Sequence, residues 1–343
     1  MPPLRKTIAA AALAALTCVV PARADTAGTV VVVPAHPQAV PAHAPAHARI
    51  SPAYELPGER VYPEGIAADS RTGDLYAGSY TDGTIFKMTP GGRAASVFLP
   101  AGADGRDTAN GLKVDRLGRL WVTDSTTGVS VYDTRTRRLL AAFEVEGRDP
   151  RFVNDVAITP DGTAYLTDSV RAVVYRVTPD QVAKASGRSA PLEPRYDLKD
   201  ALEPHEPSAF TLNGIVADPS GRFLLTVDLT GGDLYRLDLS SGAIGRVALR
   251  GGDMKYADGL ELRHGTLWVA HNVTDTITRW RIAADGTSAR MERRVTDDAL
   301  QFPTTLVRSR GTLYVVRSQF DKGGPVGEGT PQRPFTIASV RGI

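Results

Sequence analysis

The sequence predicts an all-β protein, a six-bladed β-propeller, because one short strand pattern recurs six times along the chain. Each copy opens with a small polar segment and continues as a hydrophobic strand, in PEGIAAD (63–69), ANGLKVD (109–115), VNDVAIT (153–159), LNGIVAD (212–218), ADGLELR (257–263) and PTTLVRS (303–309). The leading polar residues, at spacings of 46, 44, 59, 45 and 46 positions, are Glu64, Asn110, Asn154, Asn213, Asp258 and Thr304. A period of about 45 residues with several short strands per unit is typical of a propeller.

Each unit continues with a second and a third strand, which show the apolar–polar alternation of half-buried strands. We expect the second strands at 75–79, 120–124, 164–168, 223–228, 267–271 and 313–317. The third strands alternate aromatic and basic residues, in IFKMTP, VSVYD, VVYRVTP, DLYRLD and ITRWRI. We expect the tryptophans and tyrosines of these strands to pack between blades. Segment 179–187 is expected to form two helical turns at most.

The third and sixth units are irregular. Residues 180–211 form an insertion rich in Pro, Glu and Ala, and residues 321–334 form a Gly/Pro-rich loop before the strand FTIASV. The sixth unit then lacks a fourth strand, whereas the stretch RISPAYELP (49–57) precedes the first unit. We therefore predict that this N-terminal strand closes the last blade, which would leave no long exposed sheet edge.

The N-terminal region predicts a secreted protein. Residues 1–24 combine a basic start, an apolar run too short to span a bilayer and an Ala-Arg-Ala cleavage motif, as in a secretory signal peptide. A lipoprotein alternative would use Cys18, but the three residues before it match lipid attachment poorly. Residues 25–49 are expected to form a disordered Pro/Ala/His linker, with adventitious metal binding by its histidines as the alternative. The propeller is assigned to residues 50–343.

Composition excludes several classes of function. Cys18, the only cysteine, lies within the predicted signal, so the mature chain would have neither a disulfide nor a catalytic thiol. The whole chain has 40 basic and 38 acidic residues, and removal of the three basic residues of the signal leaves 37 against 38. This balance favours neither nucleic acid nor an anionic membrane as a partner. We expect a monomer that binds a small-molecule substrate.

The repeated polar residues predict a cation site. Because the innermost strands of a propeller start at one mouth of the axial channel, the polar residues of the first five units should face one another. Two carboxylates with several amide oxygens suit a hard cation, and Ca²⁺ best. Asn-Gly and Asp-Gly are also common turn dipeptides, so each pair taken singly is more often a turn than a ligand. Their shared register across five blades favours ligands.

With these residues, the chain resembles the regucalcin/gluconolactonase (senescence-marker-protein-like) family of six-bladed propellers over nearly all of 50–343. The squid-type organophosphorus hydrolase and the paraoxonases share this plan. The resemblance implies one catalytic Ca²⁺ held by Glu64, Asn154, Asn213 and Asp258, with Asn154 as ligand or as substrate contact. Members with a second, buried Ca²⁺ carry an Asp and a His where this chain has Glu261 and 302–305. We therefore expect a single divalent cation.

Further candidates come from the ends of the second strands, which should surround the same mouth. We expect loop capping by the aspartates of blades two to four: Asp124, Asp168 and Asp228. His271 is a candidate for proton transfer or substrate contact, with plain hydrogen bonding as the alternative. Arg317 is a candidate for holding an anionic group, with a solvated loop arginine as the alternative, and Asn110 joins the substrate contacts. His205 is expected on a lid formed by the insertion.

These observations predict a secreted, Ca²⁺-dependent hydrolase of a lactone or related ester. The cation would polarise the carbonyl, and Asp258 is the best candidate to activate water or to attack directly. The alternative is a non-enzymatic propeller that binds a ligand or a partner at its mouth. A redox enzyme is disfavoured because the chain has no dinucleotide motif, no clustered histidines and no cysteine beyond the signal.

Overall fold

The computed structural model describes residues 48–185, 187–206 and 209–343. They form six small sheets arranged as a ring, which confirms the predicted six-bladed β-propeller. The predicted signal, residues 1–24, and most of the predicted linker, residues 25–49, lie outside the described residues. Among the described residues, no helix has the length and apolar character that crossing a bilayer requires.

The chain enters the ring through β1 (Arg49–Leu56). Blade one contains β2 (Pro63–Ala68), β3 (Leu75–Ser79), β4 (Ile85–Met88) and β5 (Ser96–Leu99). After a 3₁₀ turn (Ala103–Gly105), blade two contains β6 (Leu112–Val114), β7 (Arg119–Asp124), β8 (Gly128–Asp133) and β9 (Leu139–Glu144). Blade three begins with β10 (Val153–Ile158), β11 (Ala164–Asp168) and β12 (Val173–Val177).

The insertion follows with α1 (Pro179–Ala185), β13 (Ser189–Pro191) and β14 (Glu193–Asp197). Blade four contains β15 (Leu212–Ala217), β16 (Phe223–Asp228), β17 (Asp233–Asp238) and β18 (Ile244–Arg246). Blade five contains β19 (Ala248–Arg250), β20 (Ala257–Arg263), β21 (Thr266–His271), β22 (Thr276–Ile282) and β23 (Ser288–Thr296). A 3₁₀ turn (Asp298–Leu300) leads to blade six: β24 (Pro303–Ser309), β25 (Thr312–Arg317) and β26 (Phe335–Arg341).

The N-terminal strand closes the ring as predicted. β1 pairs antiparallel with β26, with Arg49 opposite Arg341 and Leu56 opposite Phe335, so it is the outermost strand of blade six. At the centre of the ring, the hydroxyl of Thr304 in β24 donates to the backbone oxygen of Glu64 in β2 (2.7 Å). The first and last blades are therefore joined at both their outer and their inner edges.

The hydrophobic core lies between the blades. Six buried clusters each combine residues of two neighbouring blades, so every sheet is covered on both faces. Trp121 packs between blades two and three, and Trp280 between blades four and five, and both indoles are fully buried. This confirms the prediction that these aromatic side chains pack between blades.

Two short strands were not predicted. β13 pairs in parallel with β9, and β19 pairs in parallel with β23, so each adds a fifth, outermost strand to its sheet. β13 belongs to the insertion after blade three but extends blade two. The insertion therefore ties two neighbouring blades together, and it also supplies β14, the fourth strand of blade three.

Candidate functional site

The innermost strands start with a bulge that aims their polar residues at the axis. In blades one, three, four, five and six, the ladder to the second strand skips between the first and the fourth residue of the inner strand. In β2, for example, Pro63 pairs with Ser79, and the next pair is Ile66 with Ala77. A bulge of this kind leaves the intervening residues unpaired and redirects a side chain. Glu64 occupies that position in blade one.

Glycines behind the polar residues let neighbouring inner strands approach closely. A Cβ on Gly214 would overlap the carbonyl oxygen of Asp258 in the next blade. A Cβ on Gly65 would overlap the carbonyl oxygen of Asn110 in the same way. The glycines of these dipeptides are therefore required by packing around the axis, and the Asn-Gly and Asp-Gly pairs do not serve as simple hairpin turns.

The five polar side chains share one cavity of about 610 Å³ at a mouth of the ring. All five are buried: Glu64, Asn110, Asn154, Asn213 and Asp258. The sixth blade contributes none, because the hydroxyl of Thr304 is turned to the backbone of Glu64. The structure thus brings together the predicted set from the first five blades at the floor of the cavity.

Several oxygens of this set have no protein partner. Within the described part of the chain, hydrogen-bond partners are absent for four buried acceptor atoms: Oε2 of Glu64 and Oδ1 of Asn110, Asn154 and Asn213. A buried polar atom without a partner is costly and calls for an explanation. Four such oxygens around one cavity, beside two carboxylates, are a donor set that fits a hard, oxygen-liganded divalent cation.

The raised pKa values of the carboxyl groups at the floor also favour a bound cation. Burial raises the pKa of Glu64 well above its usual value, and repulsion from Asp258 and Asp155 adds to this. Burial likewise raises the pKa of Asp258 to about 8, against a hydrogen bond from Asn272 that lowers it. Buried carboxyl groups that repel one another resist ionising together. A cation between them would remove that resistance.

Asp155 is a third acidic group near the axis, and sequence reasoning missed it. It stands in β10 where the five other blades have glycine or threonine, and its carboxylate accepts from the backbone N–H of Val156 (2.8 Å) and of Ile215 (3.1 Å). Burial raises its pKa, whereas Lys113 and these two hydrogen bonds lower it. It therefore braces blades three and four and adds negative charge behind the cavity floor. No cluster of three or more His, Cys, Asp or Glu side chains suited to a metal occurs in the described ranges.

The residues after the second strands that contact floor side chains are displaced by one position from the predicted ones. Asn272, directly after His271, lines the cavity, and its Nδ2 donates to Oδ2 of Asp258 (2.8 Å). In blade three, Ser169 follows Asp168, and its hydroxyl accepts from Nδ2 of Asn154 (3.0 Å). Both residues orient a floor side chain, and neither was singled out from the sequence.

His271 lies outside the cavity. Its Nδ1 donates to the backbone oxygen of Lys255 (2.8 Å), and its Nε2 contacts the hydroxyl of Thr278 (2.8 Å), which also accepts from Trp280. Burial lowers the pKa of the imidazole, so it is neutral at pH 7. With both nitrogens engaged, His271 has the plain hydrogen-bonding role, and we do not retain it for proton transfer.

Arg317 is likewise not brought to the cavity. Its side chain is buried, and Nη1 donates to the hydroxyl of Thr336 (3.3 Å) in the neighbouring strand β26. Burial lowers its pKa, against the attraction of Asp297. It is neither the anion-holding group nor the solvated loop arginine considered from the sequence. Side chains alternate between the two faces of β25, and that of Arg317 lies on a buried face away from the cavity.

The aspartates at the ends of the second strands cap loops, as predicted. Asp124 accepts from the backbone N–H of Asp107 (2.7 Å), and Asp168 accepts from that of Phe152 (3.1 Å). Asp228 accepts from Nε2 of His205 (2.7 Å), which ties the insertion loop to blade four. His205 does not line the cavity itself.

Aromatic side chains above the floor were also missed. Phe152, Phe210, Tyr80, Phe302 and Phe320 all line the cavity. A signal for some of them is present in the sequence, because four units carry an aromatic residue two positions before the leading polar residue: Tyr62, Phe152, Tyr256 and Phe302. Three of these four line the cavity, whereas Tyr62 is buried against Phe335.

Comparison with known proteins agrees with this architecture. Residues 62–315, well over half of the chain, match the family model described as "SMP-30/Gluconolactonase/LRE-like region". No curated protein matches the sequence significantly.

Similar solved structures include a gluconolactonase from Xanthomonas campestris, with 17% identity, a TM-score of 0.59 and coverage of 86% of this chain and 90% of that one. A putative gluconolactonase gives 17% identity and a TM-score of 0.58, covering 86% and 92% of the two chains. A streptogramin B lyase gives 14% identity and a TM-score of 0.56, covering 88% and 99%. At these identities the likeness establishes the fold alone.

Proposed function

The chain belongs to the SMP-30/gluconolactonase/LRE-like family, which generally depends on a divalent metal, and from this we propose that it is a Ca²⁺-dependent hydrolase of lactones or related esters. The observation that carries the proposal is the convergence of unpartnered oxygens and two carboxylates on the floor of one cavity. The unpartnered oxygens beside two carboxylates favour a cation together with a polarisable carbonyl substrate.

The residues that would hold the cation are Glu64, Asn154, Asn213 and Asp258. Their oxygens are hard ligands, no histidine or cysteine stands among them, and two carboxylates balance one divalent charge, which favours Ca²⁺ over Zn²⁺ or copper. When bound, such a cation supplies a Lewis acid that polarises a carbonyl group. Asn110, whose amide has no hydrogen-bond partner among the described residues, is left to contact the substrate.

Asp258 is the proposed base. Asn272 fixes its Oδ2, which orients the carboxylate toward the cavity. Burial raises the pKa of Asp258 in the metal-free protein, and a bound cation would lower it again, so the proposed role rests on the place of Asp258 at the cavity floor. Asp258 would take the proton of the attacking water as the new C–O bond forms. It would then return that proton to the alkoxide released when the ring C–O bond breaks.

The test is hydrolysis of a panel of lactones, aryl esters and phosphotriesters, with Ca²⁺ and with chelator. We expect turnover of at least one lactone or ester, lost on chelation and restored by Ca²⁺. Asp258→Asn, assayed at saturating Ca²⁺, should reduce turnover by roughly a hundredfold or more, the usual effect of removing a general base. Equal rates for wild type and variant would leave Asp258 without a chemical role. A panel without any turnover would favour the non-enzymatic ligand-binding alternative.

We further propose that the protein is secreted and acts as a monomer. The support for secretion is the signal-like segment 1–24. Expression of the full chain followed by N-terminal sequencing of the exported protein would test it, with Asp25 as the expected first residue. Retention of residues 1–24 on a cell-associated product would refute the proposal of secretion.

A further inference from the structure

The mouth of the cavity concentrates exposed hydrophobic side chains. Six large hydrophobic residues are exposed in the described part of the chain, and four of them surround this one cavity: Phe210, Tyr256, Val273 and Val326. The other two, Val97 and Leu117, are not part of its lining. Single exposed hydrophobic residues are ordinary, whereas a contiguous group around a concave site marks a binding surface.

Five rings form a continuous wall that shares Phe210 with this rim. We name this wall the aromatic collar: Tyr80, Phe152, Phe210, Phe302 and Phe320. Ring centroids are 4.9 Å apart for Phe210 and Phe152, and 6.5 Å apart for Phe152 and Tyr80. The contacts continue from Tyr80 to Phe320 (5.2 Å) and from Phe320 to Phe302 (6.0 Å). The rings come from four different blades, so the collar curves around the cavity.

The backbone holds two of these rings in place. The N–H of Phe302 donates to Oδ1 of Asp275 (2.6 Å), and its carbonyl accepts from the hydroxyl of Ser318 (2.6 Å). The N–H of Phe152 donates to Asp168 (3.1 Å), and its carbonyl accepts from the N–H of Ser169 (2.9 Å). The backbone that carries these two rings is therefore held before a ligand arrives, which lowers the entropic cost of binding.

The charges of the cavity select against other ligands. Its lining contains four acidic residues and no basic residue, so an anionic substrate would be repelled. The acidic and amide groups of the floor would hold the cation and the reacting carbonyl. Above them, apart from Asn272, Asp275 and Asp321, the walls are made of Phe, Tyr, Val, Leu and Pro, which offer few partners for the hydroxyl groups of a sugar.

Building on the proposed function, we propose that the substrate is an uncharged lactone or ester whose apolar part, an acyl chain or an aromatic ring, lies along the aromatic collar. Burial of each further methylene on apolar walls should raise kcat/KM by roughly fourfold until the collar is filled. Polyhydroxylated lactones would lose hydrogen bonds to water on entering and regain only a few from the walls, so they should be poor substrates.

The test compares γ-lactones of increasing chain length, from γ-butyrolactone to γ-dodecalactone, with glucono-δ-lactone. We expect kcat/KM to rise with chain length and to be lowest for the sugar lactone. Phe210→Ala and Phe152→Ala should each lower the ratio of kcat/KM for dodecalactone to that for butyrolactone by about tenfold. The matched control is Leu117→Ala, an exposed hydrophobic residue away from the cavity, which should leave this ratio unchanged.

The outcomes separate this inference from the proposed function. If glucono-δ-lactone is hydrolysed as well as γ-dodecalactone, or if the collar variants keep the wild-type ratio, the substrate class is wrong while the hydrolase stands. If neither a lactone nor an ester is turned over, the hydrolase is wrong, and calorimetric binding of the dodecanoic γ-lactam tests the collar alone. Binding by wild type that weakens in Phe152→Ala would support the collar, and absence of binding would overturn it.

Discussion

Replacing Asp258 by Asn should change how the stability of the metal-free protein depends on pH. In the folded protein, burial raises the pKa of Asp258 to about 8, whereas an unfolded Asp releases its proton near pH 4. Between these values the folded state holds a proton that the unfolded state has lost. Raising the pH therefore destabilises the metal-free fold. The stability that comes from the protonated Asp258 is fully present only below about pH 4 and is lost as the pH rises toward the folded-state pKa.

The magnitude follows from the linkage. One proton held only by the folded state costs about 1.4 kcal/mol per pH unit, so the step from pH 5 to pH 7 costs about 3 kcal/mol. For a domain of this size, with an unfolding entropy of roughly 2 cal/mol/K per residue, this lowers Tm by about 5 °C. Glu64 and Asp155 also have raised pKa values and act in the same direction, whereas Lys113 opposes the effect at Asp155.

The measurement is Tm in chelator from pH 5 to pH 8 for wild type, Asp258→Asn and Asp285→Asn. Asp285 is exposed, and the N–H and hydroxyl of Thr287 lower its pKa, so its loss removes the same charge without changing the slope over this range. Wild type and the Asp285 variant should lose stability in parallel as the pH rises, and the Asp258 variant should lose clearly less. Three parallel curves would refute the raised pKa of Asp258.

Three further substitutions test the cation site at the floor, the hydrogen-bonding role of His271 and the packing around the axis. Ca²⁺ should raise the Tm of wild type more at pH 8 than at pH 5, and Glu64→Gln should at least halve the shift at pH 8; equal shifts at both pH values would count against the site. His271→Gln should keep kcat within about twofold at neutral pH, whereas a larger loss would return the histidine to the chemistry. Gly214→Ala should cost about 3 kcal/mol or more in chemical denaturation, while Gly245→Ala, with open space around it, should be nearly neutral.

The blade count and the floor of the site could be predicted from the sequence because both depend on register. The inner strands repeat at nearly constant spacing, so their first polar residues occupy equivalent places in a closed ring. Closure by β1 was also predictable, since the sixth unit lacked a strand and residues 49–57 had no other assignment. These inferences need only the period of the pattern, and they do not depend on side-chain orientation.

The residues at the ends of the second strands were harder to predict. Successive side chains of a strand point to opposite faces, so an error of one position exchanges a cavity residue for a buried one. His271 and Asn272 show this. The imidazole of His271 hydrogen-bonds to the hydroxyl of Thr278 in the neighbouring strand, whereas the amide of Asn272 donates to Asp258. Sequence patterns locate a strand end to within a residue or two, which is coarser than this choice requires.

The parallel strands and the buried Asp155 depended on contacts that no local pattern carries. β13 joins a blade other than the one it follows in the chain, so its pairing is decided by where the insertion folds back. Asp155 stands where neighbouring blades have glycine, and its carboxylate is satisfied by the backbone of blade four. In sequence it resembles a turn residue, and only the approach of the next inner strand gives it a buried role.

In blades five and six, an aromatic residue of the cavity lining has an unusual backbone conformation. Tyr256 and Phe302 both have positive φ, 58° and 60°, two residues before the leading polar residue of their blade. Bulky residues rarely adopt this conformation, which costs of order 1–3 kcal/mol and is tolerated more easily by Gly or Asn. The reversal of the backbone there lets the ring line the cavity. The bulge that follows directs the next side chains of the inner strand toward the axis. Tyr62 has the same conformation (φ 41°) but packs in the core against Phe335, so the conformation alone does not bring a ring to the cavity.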